Sequence, residues 1–172
     1  MRRSVLFSIF FLIAVMAVAQ NGSRGPSTRA ERDRAVKVTH ALEGDPLAPS
    51  LRGDRDWLLS WIDAVPDITV NICVDPASAR SDYRYNRELM VQKTFAMAAF
   101  IIENSSQKND DLAVEAAGVG GALKAYQSIL KKDPNSHSTY WDRLLRKQEQ
   151  GTLRDYVSEY MQRACGSSQG IA

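Results

Sequence analysis

Histidine and cysteine are scarce in this chain: His40 and His137, Cys73 and Cys165, and no others. A metal site needs three or four converging ligands, and with the thiols paired, two histidines outside any ligand spacing supply no such set. Neither a metal nor a cofactor is therefore expected. Asp110, Asp111 and Glu115 cluster where a helix should start, which the helix dipole favours without any ligand, and no EF-hand spacing argues for calcium. Gly118-Val119-Gly120-Gly121 lacks both a preceding strand and a Gly-Lys-Ser/Thr ending, so a phosphate loop is excluded. Ser136-His137-Ser138 invites a nucleophile-and-base reading, but adjacent residues rarely meet in attack geometry and no nucleophile elbow marks them. No catalytic residue is expected.

Excess charge is missing as well. Twenty-two lysines and arginines face 20 acidic residues, and the surplus of two is accounted for by Arg2 and Arg3. Those two arginines precede the apolar run 5–18 and the small-x-small triplet Ala17-Val18-Ala19, the layout of a secretory signal peptide. The run is shorter than the roughly 20 residues that span a bilayer as a helix, so cleavage before Gln20 is expected over anchoring. The remainder is formally neutral and gives no support to a nucleic-acid partner. An exported location, periplasmic or extracellular, follows as the expectation. In such an oxidising compartment Cys73 and Cys165 are expected to form a disulfide.

What is present is helical periodicity. Residues 20–29 read as a flexible linker, 30–165 as one helical domain and 166–172 as a flexible tail. Within the domain, helices are predicted over 30–42, 55–65, 87–103, 110–132, 139–150 and from 153 onward. Their expected punctuation is Asp54, Asp110, Ser136 or Ser138, and Thr152 as N-caps, with Gly151 ending the fifth helix. Trp57, Leu58, Trp61, Ile62 and Val65 share one face, which packing into a core explains. Ile68, Val70, Ile72 and Val74 alternate with polar residues, but no second alternating run exists to pair with them. Residues 68–74 are thus expected as an extended segment lying over the helices, pinned by Cys73. The span 75–86 reads as a long loop whose tyrosines, Tyr83 and Tyr85, could cover the core edge.

The centre is the pair 87–103 and 110–132. The first holds the apolar run 95–102, and apolar residues all round a helix mean burial on most sides. The second repeats small residues four apart: Ala113, Ala117 and Gly121, then Ala116 and Gly120, then Gly118 and Ala122. Such strips let another helix backbone approach closely, offsetting part of the roughly 1 kcal/mol each helical glycine costs relative to alanine. At the end of this helix, Ala122, Tyr126 and Pro134 are spaced as in the second helix and exit turn of a tetratricopeptide repeat, which residues 121–135 resemble. The slots of that family's first helix fall on Asn109, Asp110 and Ala113, which depart from its pattern, and about 34 residues further on Ser168 stands where a second proline belongs. The resemblance implies a helix and its exit turn, not a repeat array.

The fold class expected is therefore all-α, a bundle of about five to six helices with one short extended segment and one disulfide. The leading functional expectation is an exported, noncatalytic domain that binds a protein or envelope component. Two alternatives stand beside it: a small envelope hydrolase whose acidic residues converge only in three dimensions, and a carrier of an apolar ligand on the tryptophan helix. The disulfide gives a direct test. Thiol labelling of the unfolded, unreduced protein should find neither Cys73 nor Cys165 reactive, and reduction should lower the unfolding free energy by about 4–5 kcal/mol in urea titrations.

Overall fold

The computed structural model describes residues 24–79 and 81–166. The expected signal peptide, the first residues of the linker and the tail beyond 166 lie outside the described residues. Seven helices and no strands occur among those described: α1 (Arg29–Gly44), α2 (Arg52–Ala64), α3 (Pro76–Ala79), α4 (Asn86–Glu103), α5 (Asp111–Lys132), α6 (Thr139–Glu149) and α7 (Leu153–Ala164). The fold is all-α, as expected, and none of these helices is long and apolar enough to cross a membrane.

Antiparallel α4 and α5 form a central wall with a core on each side. On one side Leu42 of α1 and Leu58 and Trp61 of α2 pack with Phe95, Ile101 and Val114. On the other, Trp141 and Leu144 of α6 and Val157 and Tyr160 of α7 pack with Leu89, Leu123 and Tyr126. Because it serves both cores, α4 buries Leu89, Phe95, Met97, Ala98 and Ile101 around nearly its whole circumference. Gly118 and Gly121 of α5 have the mechanical role expected of them, whereas Gly120, expected to share it, faces open space. A Cβ on Gly118 would lie 3.0 Å from the Lys93 carbonyl oxygen, and one on Gly121 would collide with Ala96.

Some helix starts follow their signals and others do not. Asp110 accepts from the Ala113 amide at 2.9 Å and Ser138 accepts from the Trp141 amide at 3.5 Å, as capping residues should. Gly151 takes φ 71°, with its amide on Gln148 and that of Thr152 on Lys147, the paired bonds of a Schellman ending. Thr152 does not cap α7. Its hydroxyl turns back to the Lys147 carbonyl at 3.4 Å, drawn there by the tight turn that already holds its amide. Nor does Asp54 cap α2, because a 3-10 turn at Pro49–Leu51 runs directly into that helix and places Asp54 in its first turn, paired with Arg34 at 2.9 Å. Thr28 opens α1 with a capping box, its hydroxyl taking the Glu31 amide while the Glu31 carboxylate takes the Thr28 amide. Just before it, Ser27 is buried and donates both amide and hydroxyl to Asp67 at 2.7 Å.

Residues 68–74 are extended and unpaired, but their parity changes midway. Ile68 is buried, yet Ile72 and Val74 are half exposed while Cys73 and Asp75 are buried. Three attachments draw the odd-numbered residues inward: the Cys73–Cys165 disulfide, the Lys93 ammonium donating to the Cys73 carbonyl at 2.7 Å, and the Asp75 carboxylate accepting from Tyr140 and Tyr156. The span read as a loop after it contains α3, one helical turn nucleated by Asp75, whose side chain accepts from the Ala77 amide at 2.9 Å.

The deepest polar feature went unsuspected in the sequence. By sequence Glu115 belongs with the acids at the start of α5; it is 1 % exposed, paired with the likewise buried Lys93 of α4, and accepts the Tyr160 hydroxyl of α7. Glu115 shares a helix face with the exposed Asp111 but lies one turn further along α5, where Tyr160 of α7 and Lys93 of α4 cover that face. This cluster joins α4, α5 and α7 and, through Lys93, the Cys73 backbone.

The packing predicts opposite signs for adjacent glycine substitutions. Gly120→Ala meets open space and should stabilise by about 0.5–1 kcal/mol through helix propensity. Gly121→Ala must force α4 from α5 and should destabilise by about 1–3 kcal/mol, both read from urea unfolding midpoints.

Candidate binding groove

Three adjoining depressions run along α6, between it and the segments 75–79 and 81–85, and on to α7. The first, about 320 Å³, is bounded by Arg84, Asp133 and His137; the second, about 350 Å³, shares Tyr83 and His137 with it; the third, about 430 Å³, shares Ala77 and Arg143 with the second. Together they make one surface groove walled by Tyr83, Tyr140 and Tyr156.

The groove is built on fixed supports. Tyr126 of α5 donates to Asp142 at 2.7 Å and accepts from the Ser138 amide at 2.8 Å, which seats the first turn of α6. The Trp141 indole donates to Asn86 at 3.2 Å, tying that turn to the start of α4. Tyr83 packs edge-on against Tyr126, their ring centroids 5.7 Å apart. Beneath the far end, Tyr140 and Tyr156 both donate to the buried carboxylate of Asp75. Burial, and then the bond to Asp75, push the Tyr156 phenol up to about 12, and burial followed by the Asp75 charge raises Tyr140 further. Both phenols therefore stay protonated and act as donors at neutral pH.

The charges on the groove differ in how they are matched. Arg84 pairs with Asp133, and His137 Nδ1 lies 3.1 Å from Asp142. Arg143 lies 5.6 Å from the Tyr140 ring centroid and 5.8 Å from that of Tyr156, and Lys147 lies 5.1 Å from the latter. Neither Arg143 nor Lys147 has a carboxylate partner among the described residues. Cations resting on aromatic faces gain about 0.5–1 kcal/mol at exposed sites without losing their charge to a neighbour.

The sequence-flagged residues meet this groove unevenly. His137 is brought to a carboxylate, the orienting half of a hydrolytic pair, but the flanking serines are committed elsewhere. The Ser136 hydroxyl donates to the Asp133 carbonyl at 2.8 Å and Ser138 Oγ caps α6. Neither hydroxyl bonds the imidazole among the described contacts, and the depression around it is open and shallow rather than a cleft. The described residues hold no group of three or more His, Cys, Asp or Glu suited to a metal. On the tryptophan helix, Trp61 is buried in the core and Trp57 stacks on it at 5.8 Å beneath the Arg34 guanidinium. A separate apolar hollow of about 510 Å³ lies beside α2, where Leu59 and Ile72 are exposed. No local pattern in the sequence marks Asp75, Arg143, Lys147 and Tyr156 as a set, because Asp75 meets Tyr140 and Tyr156 only across 65 and 81 positions of chain; Tyr83 and Tyr85 alone are expected at the core edge.

No family model matches this chain, and no curated protein or solved structure matches it.

Behind the wall, a smaller hollow between α1, α4 and α5 holds His40, with Nδ1 3.0 Å from Glu43 and Nε2 3.2 Å from Glu103. The Glu43 bond, reinforced by Glu103 against a partial burial cost, raises the imidazole above its ordinary 6.5. A raised folded-state value contributes stability below the unfolded value, and the contribution is lost as pH rises through the folded one. The Tm deficit of His40→Ala should therefore be greatest below about pH 6 and shrink toward about pH 9. A deficit independent of pH would contradict the pairing.

Proposed function

We propose that the protein is an exported, noncatalytic helical domain that binds a protein or envelope component in the groove along α6. The observation that carries this reading is a tyrosine-walled surface on rigid elements where Arg143 and Lys147 stand without carboxylate partners. Tyrosine and arginine are the side chains most used as binding anchors, because they offer large contact area together with a polar tip. Four of the groove's hydroxyls, those of Tyr140, Tyr156, Ser136 and Ser138, are held in internal bonds, which suits recognition better than nucleophilic chemistry. The His137–Asp142 pair favours a second reading, a small envelope hydrolase in which His137 activates water.

Site-specific photo-crosslinking in the native envelope separates these readings. A photoreactive residue at the exposed groove position Thr139 should form a discrete adduct, whereas one at Lys37, exposed on α1, should not. Equal yields from both positions, or none from 139, would sink the groove as a binding surface. His137→Ala should leave the adduct intact; loss of a hydrolytic activity on envelope material in that variant would transfer support to the second reading.

A further inference from the structure

Resting on the reading of the groove as a binding surface, we propose that its occupant is an acidic, extended peptide segment. Its carboxylates would be held by Arg143 and Lys147 across the face of Tyr156.

Four observations converge on that chemistry. First, both cations line the groove and are positioned by aromatic rings rather than by anions, so binding a carboxylate requires breaking no existing ion pair. Arg143 also donates to the Tyr156 hydroxyl at 3.5 Å, a long bond that a carboxylate would replace with a stronger, charge-assisted one. Second, the depressions follow one another in a row, sharing Tyr83 and His137, then Ala77 and Arg143. A linear series of shallow hollows matches an extended chain with side chains entering at intervals, not a compact molecule enclosed on several sides. Third, four hydroxyls of the groove are already engaged: Tyr140 and Tyr156 with Asp75, Ser136 with Asp133, Ser138 with the Trp141 amide. A neutral saccharide, recognised through its own hydroxyls, would compete with those four bonds, while a charged group needs only the two cations. Fourth, Asp133 and Glu159 pair with Arg84 and Arg163 along the rim, which leaves Arg143 and Lys147 as the groove's two unmatched cations among the described residues. Two cations suit a few carboxylates spaced along a peptide and fall short of the continuous charge of a nucleic acid backbone.

The test uses the intact, disulfide-bonded chain and three probes: a fluorescent peptide of repeated Glu-Thr, its Gln-Thr counterpart, and inorganic phosphate as competitor. Fluorescence anisotropy should show the Glu-Thr peptide binding at least about tenfold tighter than the Gln-Thr peptide, with the difference shrinking as salt is raised. Arg143→Met and Lys147→Met keep the aliphatic stems and should each weaken the Glu-Thr peptide by about tenfold, with Tm unchanged. Lys37→Met, on the far face, should leave affinity unchanged. Equal binding of the two peptides, an equal loss from Lys37→Met, or displacement by phosphate as effective as by unlabelled peptide would each overturn the assignment. The photoreactive residue at position 139 tells the two failures apart. If only the charge assignment is wrong, it captures Gln-Thr and Glu-Thr peptides alike; if the groove itself is not the binding surface, it captures neither.

Discussion

The fold depends most on one buried ion pair, Lys93 with Glu115, in the wall between two cores. Removing two charges from water costs several kcal/mol per ion, and only close geometry with additional hydrogen bonds recovers it. Here the Tyr160 hydroxyl completes one oxygen of Glu115 and the Cys73 carbonyl takes another proton of Lys93, while Glu115 Oε2 has no partner among the described residues. The pair therefore fixes more than two helices. It specifies how α7 lies on α5, and where the extended segment crosses α4, because any other arrangement would strand a charge in the interior.

Close approach of α4 and α5 is the companion constraint. Gly118 faces the backbone at Lys93, so the small residue and the buried cation occupy the same stretch of the interface. Gly121 performs the same role one turn on, against Ala96, with the Glu43 carboxylate of α1 beside it. The two helices can share both cores only because their backbones nearly touch; larger side chains on α5 would separate the cores and pull the ion pair apart.

The groove inherits its rigidity from these supports. Asp75 ends the extended segment that Lys93 and the disulfide hold, and it takes the hydroxyls of Tyr140 and Tyr156 from the two last helices. A carboxylate buried beneath two tyrosines sets the spacing of α6 and α7 and, with it, the height at which Arg143 and Lys147 stand over the rings. The groove and the structural core are thus linked through the single carbonyl of Cys73 and the residue two positions after it.

Local physics made much of the architecture legible. The helical periods, the capping by Asp110 and Ser138, the glycine ending at Gly151, the close-packing face of α5 and the pairing of the cysteines all rest on neighbours along the chain or on a count of two. Signals that compete locally were less readable: Asp54 yielded to a 3-10 turn that started the helix earlier, and Thr152 turned its hydroxyl to the preceding helix. The parity of residues 68–74 was legible only as alternation, since the choice of which face turns inward was made by Lys93, Cys165 and two distant tyrosines. Periodicity, capping and composition determined that this chain is all-α and how its central pair packs, because those depend on interactions within a few residues. The burial of Glu115, the seat of Asp75 and the gathering of Tyr83, Tyr140, Tyr156, Arg143 and Lys147 into one groove were decided by tertiary structure, because each is a meeting of side chains whose cost and benefit exist only once the helices have come together.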